Sequence, residues 1–371
     1  MHQHNSRVII SGGGTGGHIY PALAIADALV QKQQGTEILF VGAKGKMEMQ
    51  KVPPAGYPIE GLWISGLQRS FTLKNVLFPL KLLMSLMKAR KIIKQFKPSV
   101  VVGVGGYASG PTVGMAARRG IPCLIQEQNS YPGITNKWLA GKVDRICVAY
   151  DDMEKYFPKE KIIKTGNPVR KDIVRHGDVM KEACSYFELE EGTKNLLIIG
   201  GSQGSLAINE GILHNLEILS GTGLQIIWQT GEKYAIVAQN VVERMKYKGI
   251  KILPFIERMD YAYSVADVVV SRAGAIAISE LCVAGKAAIL IPLPSAAEDH
   301  QKKNALKLVD NNAALMIENK DIVNEIGKVI TSLFADEEKR KSLSLNISKL
   351  AITDAAERIA EEIIQLIQYK N

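Results

Sequence analysis

Three apolar runs empty into glycine: Val8-Ile9-Ile10 into Ser11-Gly12-Gly13-Gly14-Thr15-Gly16-Gly17-His18, Val100-Val101-Val102 into Gly103-Val104-Gly105-Gly106-Tyr107, and Leu196-Leu197-Ile198-Ile199 into Gly200-Gly201-Ser202-Gln203-Gly204-Ser205. Glycine lacks a Cβ and takes positive φ cheaply. Each loop therefore places bare backbone N–H groups at the carboxyl end of a buried strand, where a phosphate or sugar can be wrapped and the next helix points its positive dipole end at the ligand. Gly12, Gly14 and Gly17 also satisfy the dinucleotide spacing G-x-G-x-x-G. A dehydrogenase site needs an acidic residue at the end of the second strand to hold a ribose hydroxyl, and here the strand predicted at 37–41 runs into Gly42-Ala43-Lys44, which argues against nicotinamide. What the loop does carry is His18 at the start of a helix. An imidazole titrating near pH ~6.5 can act as a general base towards a sugar hydroxyl. A capping or merely packed histidine is the plainer alternative.

A second set lies further on. In Ser271-Arg272-Ala273-Gly274-Ala275-Ile276-Ala277-Ile278-Ser279-Glu280 a strand turns at Gly274 into a helix, so the N–H groups of Ala275 and Ile276 can face a diphosphate. Glu280 on that helix can accept both hydroxyls of a ribose. After the strand at 287–291, the polar run Glu298-Asp299-His300-Gln301 falls where α/β sheets bind ligands, and Gln301 offers both a donor and an acceptor to sugar hydroxyls. The plainer alternative there is a solvated loop.

The elements that must position these residues alternate along the whole chain. Strands are predicted at 7–10, 37–41, 99–102, 122–125 and 145–149, and again at 195–199, 224–229, 251–253, 268–271 and 287–291. Helical stretches separate them, the first opened by Pro21 and running through 22–30, and two more close the chain beyond Asn319, the last at 355–369. The class is α/β, a doubly wound parallel sheet twice over. At 371 residues the chain exceeds one ordinary core, and the break falls at Thr165-Gly166-Asn167-Pro168. The expected division is 1–166, 167–350 and a closing helix in 351–371 that could pack back on the first domain.

Composition narrows the partners. Residues 1–165 hold 22 Lys and Arg against 10 Asp and Glu, whereas the remainder holds 24 against 27, so the basic excess belongs to the first half. No acidic residue stands between Glu60 and Glu127, an interval containing Arg69, Lys74, Lys81, Lys88, Arg90, Lys91, Lys94, Lys97, Arg118 and Arg119. Such a field attracts nucleic acid, anionic lipid or an anionic substrate. Within it, 71–97 interleaves leucine and methionine with these cations, and two readings compete: a core helix with a solvated basic end, or a surface that dips into an anionic bilayer. No run approaches the length of a membrane span, and the N-terminus passes directly into a strand without a signal peptide, so the expected compartment is the cytoplasm. Cys123, Cys147, Cys184 and Cys282 lack C-x-x-C spacing and read as buried thiols.

Taken together, Gly13-Gly14-Thr15-Gly16-Gly17-His18, Gly105-Gly106-Tyr107-x-Ser109-Gly110-Pro111, Glu127-Gln128-Asn129, Thr135-Asn136-Lys137, Gly166-Asn167-Pro168-Val169-Arg170, Gly200-Gly201-Ser202-Gln203-Gly204, Ser271-Arg272-Ala273-Gly274 and Asp299-His300-Gln301-x-x-Asn304-Ala305 resemble the MurG family. These are peripheral N-acetylglucosaminyltransferases that convert lipid I to lipid II in bacterial peptidoglycan synthesis. The resemblance implies two Rossmann-like domains facing across a cleft, the GT-B architecture, with 1–166 serving acceptor and membrane and 167–350 serving UDP-GlcNAc. By matching positions the donor would contact Thr15, Gly16, Gly17, Asn129, Arg170, Ser202, Ile256, Ala275, Ile276, Ala277, Ile278, Ser279, Glu280 and Gln301. His18 and Glu127 are the candidate bases, because Gln126 stands where many members carry a second histidine. The implied location is the cytoplasmic face of the membrane, on its anionic inner leaflet, in contact with other cell-wall synthesis or division proteins and with no nucleic acid.

No D-x-D pair occurs, so neither a metal nor an organic cofactor is expected, and stimulation by Mg²⁺ is left open. Leaving-group charge would be met by Arg170, the loop 202–205 and the helix N-terminus at Ala275. Two other classes share part of the pattern. A UDP-GlcNAc 2-epimerase-like enzyme would bind the same donor but has no use for a basic apolar patch, and a non-catalytic lipid- or anion-binding protein would not need the paired glycine loops.

Overall fold

The computed structural model describes residues 6–66, 77–174, 179–296 and 299–369. They form two compact units, one of Met1–Arg170 with Thr353–Asn371 and one of Lys171–Ile352. The chain thus divides after Arg170 rather than after Gly166, and its last helix belongs to the first unit.

In the first unit β1 (Arg7–Ser11), β2 (Glu37–Ala43), β3 (Ile59–Leu62), β4 (Val100–Gly103), β5 (Cys123–Glu127), β6 (Arg145–Val148) and β7 (Ile162–Lys164) make one sheet in the order β3-β2-β1-β4-β5-β6-β7. Every pairing is parallel, with Ile9 registered on Leu39 to one side and on Val101 to the other. The β-branched runs are buried on both faces, as a sheet covered by helices on each side requires. One core packs Ile10, Val100 and Val102 against helix Gly16–Lys32 and the terminal helix Ala355–Tyr369, through Ile25, Leu29, Ile359 and Ile363. The other packs Ile9, Val101 and Ile125 against Ile92, Ile93 and Val113.

The second unit repeats the plan with β8 (Asn195–Ile199), β9 (Gln225–Gln229), β10 (Ile250–Leu253), β11 (Val268–Arg272), β12 (Ala287–Ile291) and β13 (Leu315–Met316), all parallel, in the order β10-β9-β8-β11-β12-β13. Both sheets reverse direction beside their first strand, between β1 and β4 and between β8 and β11. Ligands of doubly wound sheets settle at the carboxyl ends of strands flanking such a point. The glycine loops after β1 and β4, the loop after β8 and the Ser271-Arg272-Ala273-Gly274 turn occupy those four positions.

Some elements differ from expectation. The first helix begins at Gly16, not Pro21, which lies inside it. Pro21 lacks the N–H that would bond the Gly17 carbonyl, a loss the helix absorbs one turn from its end, where hydrogen bonds are fewest. Short strands β3, β7 and β13 were not anticipated, because edge strands of two to four residues carry too few apolar positions to show a period. Three helices rather than two follow Asn319: Ile322–Ala335, Glu337–Ser348 and Ala355–Tyr369.

Candidate active site

The two glycine loops of the first unit lie against each other. A Cβ at Gly106 would run into the Gly13 backbone, and one at Gly105 would stand 2.9 Å from His18 Nε2, so glycine here is what lets the imidazole lie on the second loop. The Ser109 hydroxyl reaches the carbonyls of Ser11 and Gly105, at 2.7 and 2.8 Å, and ties the loops together. His18 sits in the first turn of helix Gly16–Lys32, half-buried, with its Nδ1 3.3 Å from Thr15 Oγ1. Burial holds the imidazole below its ordinary 6.5, opposed by the charge of Glu127, by the Gly13 backbone carbonyl and by the charge of Glu48. A ring so placed is neutral at physiological pH and can accept a proton.

The loops are less bare than their glycines imply. Gly12 N–H bonds Val41 O at 3.2 Å and Val104 N–H bonds Ser11 O at 2.9 Å. Gly14 N–H is taken by a side chain that no sequence motif singles out: it donates to Glu48 Oε2 at 2.8 Å, while Glu48 Oε1 accepts from Ala43 N–H at 2.9 Å.

Glu127, the other candidate base, is surrounded by donors. One oxygen accepts from Asn129 N–H (3.0 Å) and Asn129 Nδ2 (3.2 Å), the other from Gly133 N–H (3.0 Å) and Asn136 Nδ2 (2.9 Å). A carboxylate with four donors organises the loop after β5 and has no lone pair left to receive a substrate proton. Asn129, expected at the donor, spends its side-chain amide on this carboxylate. Gln126 is fully buried, donating from Nε2 to Asn167 Oδ1 at 3.1 Å and accepting from Gln128 Nε2, while Asn167 Nδ2 returns a bond to Gln128 O at 3.0 Å. This amide chain fastens the end of β5 to the Gly166-Asn167-Pro168 segment, beyond which the Arg170 guanidinium stacks 4.9 Å from the Tyr20 ring.

In the second unit the loop after β8 caps helix Leu206–His214 through Ser205, whose Oγ accepts from Ile208 N–H. Ser202 is half-buried within that loop. Gln229 links it to the next strand end, donating to Gly201 O at 2.7 Å and accepting from the N–H of buried Ile256 at 3.3 Å. Any ligand contact of Ile256 therefore uses its other atoms. Helix Ala275–Ala284 starts behind Gly274; Ala275, Ile276, Ile278 and Glu280 are buried, Ala277 and Ser279 half-buried, and the Ile278 side chain belongs to the core. Glu280 accepts from the buried Tyr263 hydroxyl at 3.2 Å. Gln301 uses its acceptor internally, on Leu293 N–H at 3.0 Å. Glu298 lies outside the described residues.

Arg272 belongs to the Ser271-Arg272-Ala273-Gly274 motif, whose spacing alone assigns it no role. Its guanidinium donates to Ser205 Oγ (2.6 Å), Asn319 Oδ1 (2.8 Å), Ile291 O and Pro292 O (3.2 Å each). All four partners are neutral, and among the described residues no carboxylate pairs with it. Burial pulls its pKa down to about 10. A cation short of countercharge beside a glycine loop and a helix N-terminus is what a diphosphate would complete. Among the described residues no cluster of His, Cys, Asp or Glu could hold a metal ion.

Away from the loops, helix Phe78–Phe96 carries the described part of the basic stretch. Ser85, Ala89, Ile92 and Ile93 face the core, while Leu80, Leu83, Met84 and Met87, spaced as a second helical stripe, are 43–57% exposed. Exposed Trp63 stands beside this stripe, with Lys81 Nζ 5.7 Å from its ring. Lys88 is engaged by Glu60 Oε2 at 2.8 Å, whereas Arg90, Lys91 and Lys94 point to solvent. Arg69, Phe71, Lys74 and Val76 lie outside the described residues.

The glycosyltransferase family 28 N-terminal domain matches residues 8–148 and the glycosyltransferase family 28 C-terminal domain matches 195–359. A protein of Bacteroides fragilis, the UDP-N-acetylglucosamine--N-acetylmuramyl-(pentapeptide) pyrophosphoryl-undecaprenol N-acetylglucosamine transferase, is 51% identical over 367 residues, covering 98% of this chain and 96% of its own. Among solved structures, MurG of Acinetobacter baumannii superposes with a TM-score of 0.74 at 31% identity, over 97% of this chain and 99% of that one. A UDP-GlcNAc 2-epimerase from Neisseria meningitidis reaches 0.69 at 16% identity, over 97% and 100%, a likeness of fold alone.

Proposed function

The chain belongs to the family 28 glycosyltransferases of the MurG type, and from that premise we propose how its two units divide one reaction. The protein transfers GlcNAc from UDP-GlcNAc to lipid I, undecaprenyl-diphospho-MurNAc-pentapeptide, giving lipid II. The observation that carries this reading is the identity of about half the residues along nearly the whole chain. The acceptor hydroxyl attacks the anomeric carbon with inversion; the new C–O bond forms as the bond to the UDP phosphate breaks, and His18 takes the hydroxyl proton. Charge building on UDP is met by Arg272, the loop after β8 and the N-terminus of helix Ala275–Ala284. Glu127 holds the loop 128–133 in place and is a positioning residue.

Among the described residues no helix is long and apolar enough to cross a membrane. The exposed stripe of helix Phe78–Phe96 with Arg90, Lys91 and Lys94 supports peripheral attachment to an anionic bilayer, which we place on the cytoplasmic face. Incubation with labelled UDP-GlcNAc and a lipid I analogue tests the assignment. Label must appear in the lipid product with release of UDP, and a new UDP-sugar formed from UDP-GlcNAc alone would mark an epimerase instead.

A further inference from the structure

Glu48 is a carboxylate placed beneath the first glycine loop. It is 2% exposed, although it is charged and belongs to a short helix, Glu48–Lys51. Its two oxygens each accept one backbone N–H, from Gly14 at 2.8 Å and from Ala43 at 2.9 Å. Room for it is made by glycine: a Cβ at Gly13 or at Gly42 would collide with its carboxylate or its stem. The peptide joining Gly13 to Gly14 is a single rigid plane, with the Gly14 N–H on one edge and the Gly13 carbonyl on the other. Glu48 grips the first edge. The second lies by the imidazole of His18, whose protonated form the Gly13 carbonyl favours, and the next residue along the loop, Thr15, sets its Oγ1 3.3 Å from His18 Nδ1. A hydrogen bond accepted from the N–H edge of a peptide strengthens its carbonyl as an acceptor, so the two interactions reinforce each other through the plane.

We propose that Glu48 is a positioning residue for His18, acting through the Gly13–Gly14 peptide: it fixes that plane, and the plane fixes the imidazole. The arrangement parallels the way an acidic residue orients a histidine base in hydrolases, with a peptide group inserted between acid and ring. This rests on the assignment of His18 as the base.

Glu48→Gln tests it. Glutamine keeps the shape but has one oxygen for two N–H groups and sets an amide nitrogen against the other. Because a catalytic group displaced by about 1 Å can cost about 100-fold, kcat is expected to fall at least about tenfold, with the dissociation constant for UDP-GlcNAc within about twofold of the parent. The acid limb of the kcat/KM profile is expected to move to lower pH, since of the two carboxylates whose charge favours protonated His18, Glu127 and Glu48, one is gone. In a His18→Ala background the same change is expected to cost nothing further in kcat. A folded Glu48→Gln protein that turns over at the parent rate, or losses in the double variant that simply multiply, would overturn the proposal. If Glu48→Gln does not fold, Glu48→Asp, charged but one methylene short, is read by the same split, and loss of fold in both also overturns it by making Glu48 a stability residue. Parent turnover by His18→Ala alone would instead dismiss the base assignment.

Discussion

The two units have the same strand order and put glycine loops at the same topological positions, yet charge beneath those loops is opposite in sign. Under the first loop lies a buried carboxylate, Glu48, which takes the Gly14 N–H that a phosphate would otherwise receive. Beside the loop of the second lies a half-buried guanidinium, Arg272, bonded only to neutral groups. An anion brought to the first loop meets repulsion and an occupied donor; brought to the second it meets a cation in need of countercharge. The fold therefore supplies two equivalent places for a ligand, and one side chain at each decides which kind it takes. On the proposed assignment the second unit takes the diphosphate, and the first is left to hold a neutral base against a hydroxyl.

The strongest way to break this comparison is at His18. His18→Ala is expected to lower kcat by about 10² to 10⁴ while leaving the UDP-GlcNAc dissociation constant nearly intact, because general-base catalysis acts on the transition state. Steady-state kinetics paired with calorimetry would show it, and a raised dissociation constant with normal kcat would move donor binding to the first loop. The converse test is on the second unit. Arg272→Gln and, separately, Glu280→Ala are each expected to weaken UDP-GlcNAc binding by about 1.5 to 3 kcal/mol, the range for hydrogen bonds to charged groups. Glu280→Ala also leaves the buried Tyr263 hydroxyl without this partner, so binding has to be compared at temperatures where both proteins are folded. Unchanged affinity in both variants would end the claim that charge sorts the ligands.

How much of this was legible in the sequence differs between backbone and side chains. The apolar runs gave the inner strands of both sheets, and the three that end in glycine gave three of the four loops, because a strand covered on both faces has one signature and a loop that must approach another backbone has another. Glu48 gave no signal, since what buries it is the pairing of β1 with β2, which brings Gly13 and Gly42 together over it; nothing within Met47-Glu48-Met49 hints at that. Glu127 was legible as a candidate but not as a saturated carboxylate, as its four donors meet only when the loop 128–133 and the helix behind it fold around it. Arg272 was visible by type and not by role, because its lack of countercharge exists only once β11, β12 and the Asn319 segment are side by side.

The first unit also differs from the second in its surface, and that difference can be sharpened. Helix Phe78–Phe96 shows one apolar stripe to the core and another to solvent. Lys88 is already paired with Glu60, so reversing it would break a contact within the fold as well as any contact with lipid. Arg90→Glu with Lys91→Glu is the cleaner change, and at about 1 kcal/mol for each cation near an anionic surface removal of the pair should weaken sedimentation with anionic vesicles by about 2 kcal/mol or more. Turnover of a long-chain lipid acceptor should slow and that of a soluble short-chain analogue should not. Undiminished vesicle binding would leave the exposed stripe without a lipid partner.

The smallest expected effect concerns stability, and it probes the neutral base directly. A histidine in the unfolded chain titrates near pH ~6.5, whereas burial sets His18 lower in the folded protein. Between those two values the unfolded state binds more protons, so stability rises with pH through that window and is lost as pH falls from the unfolded value towards the folded one. Denaturant midpoints of the parent and of His18→Ala, compared between about pH 5 and 8, the span in which a histidine changes charge, should diverge at the acidic end, with the parent losing stability and the variant losing less. Curves that stay parallel would mean that the imidazole protonates in the folded protein as readily as in the unfolded one. The first loop would then hold a cation over two carboxylates, and the division between a basic and an anion-binding unit would fail where it begins.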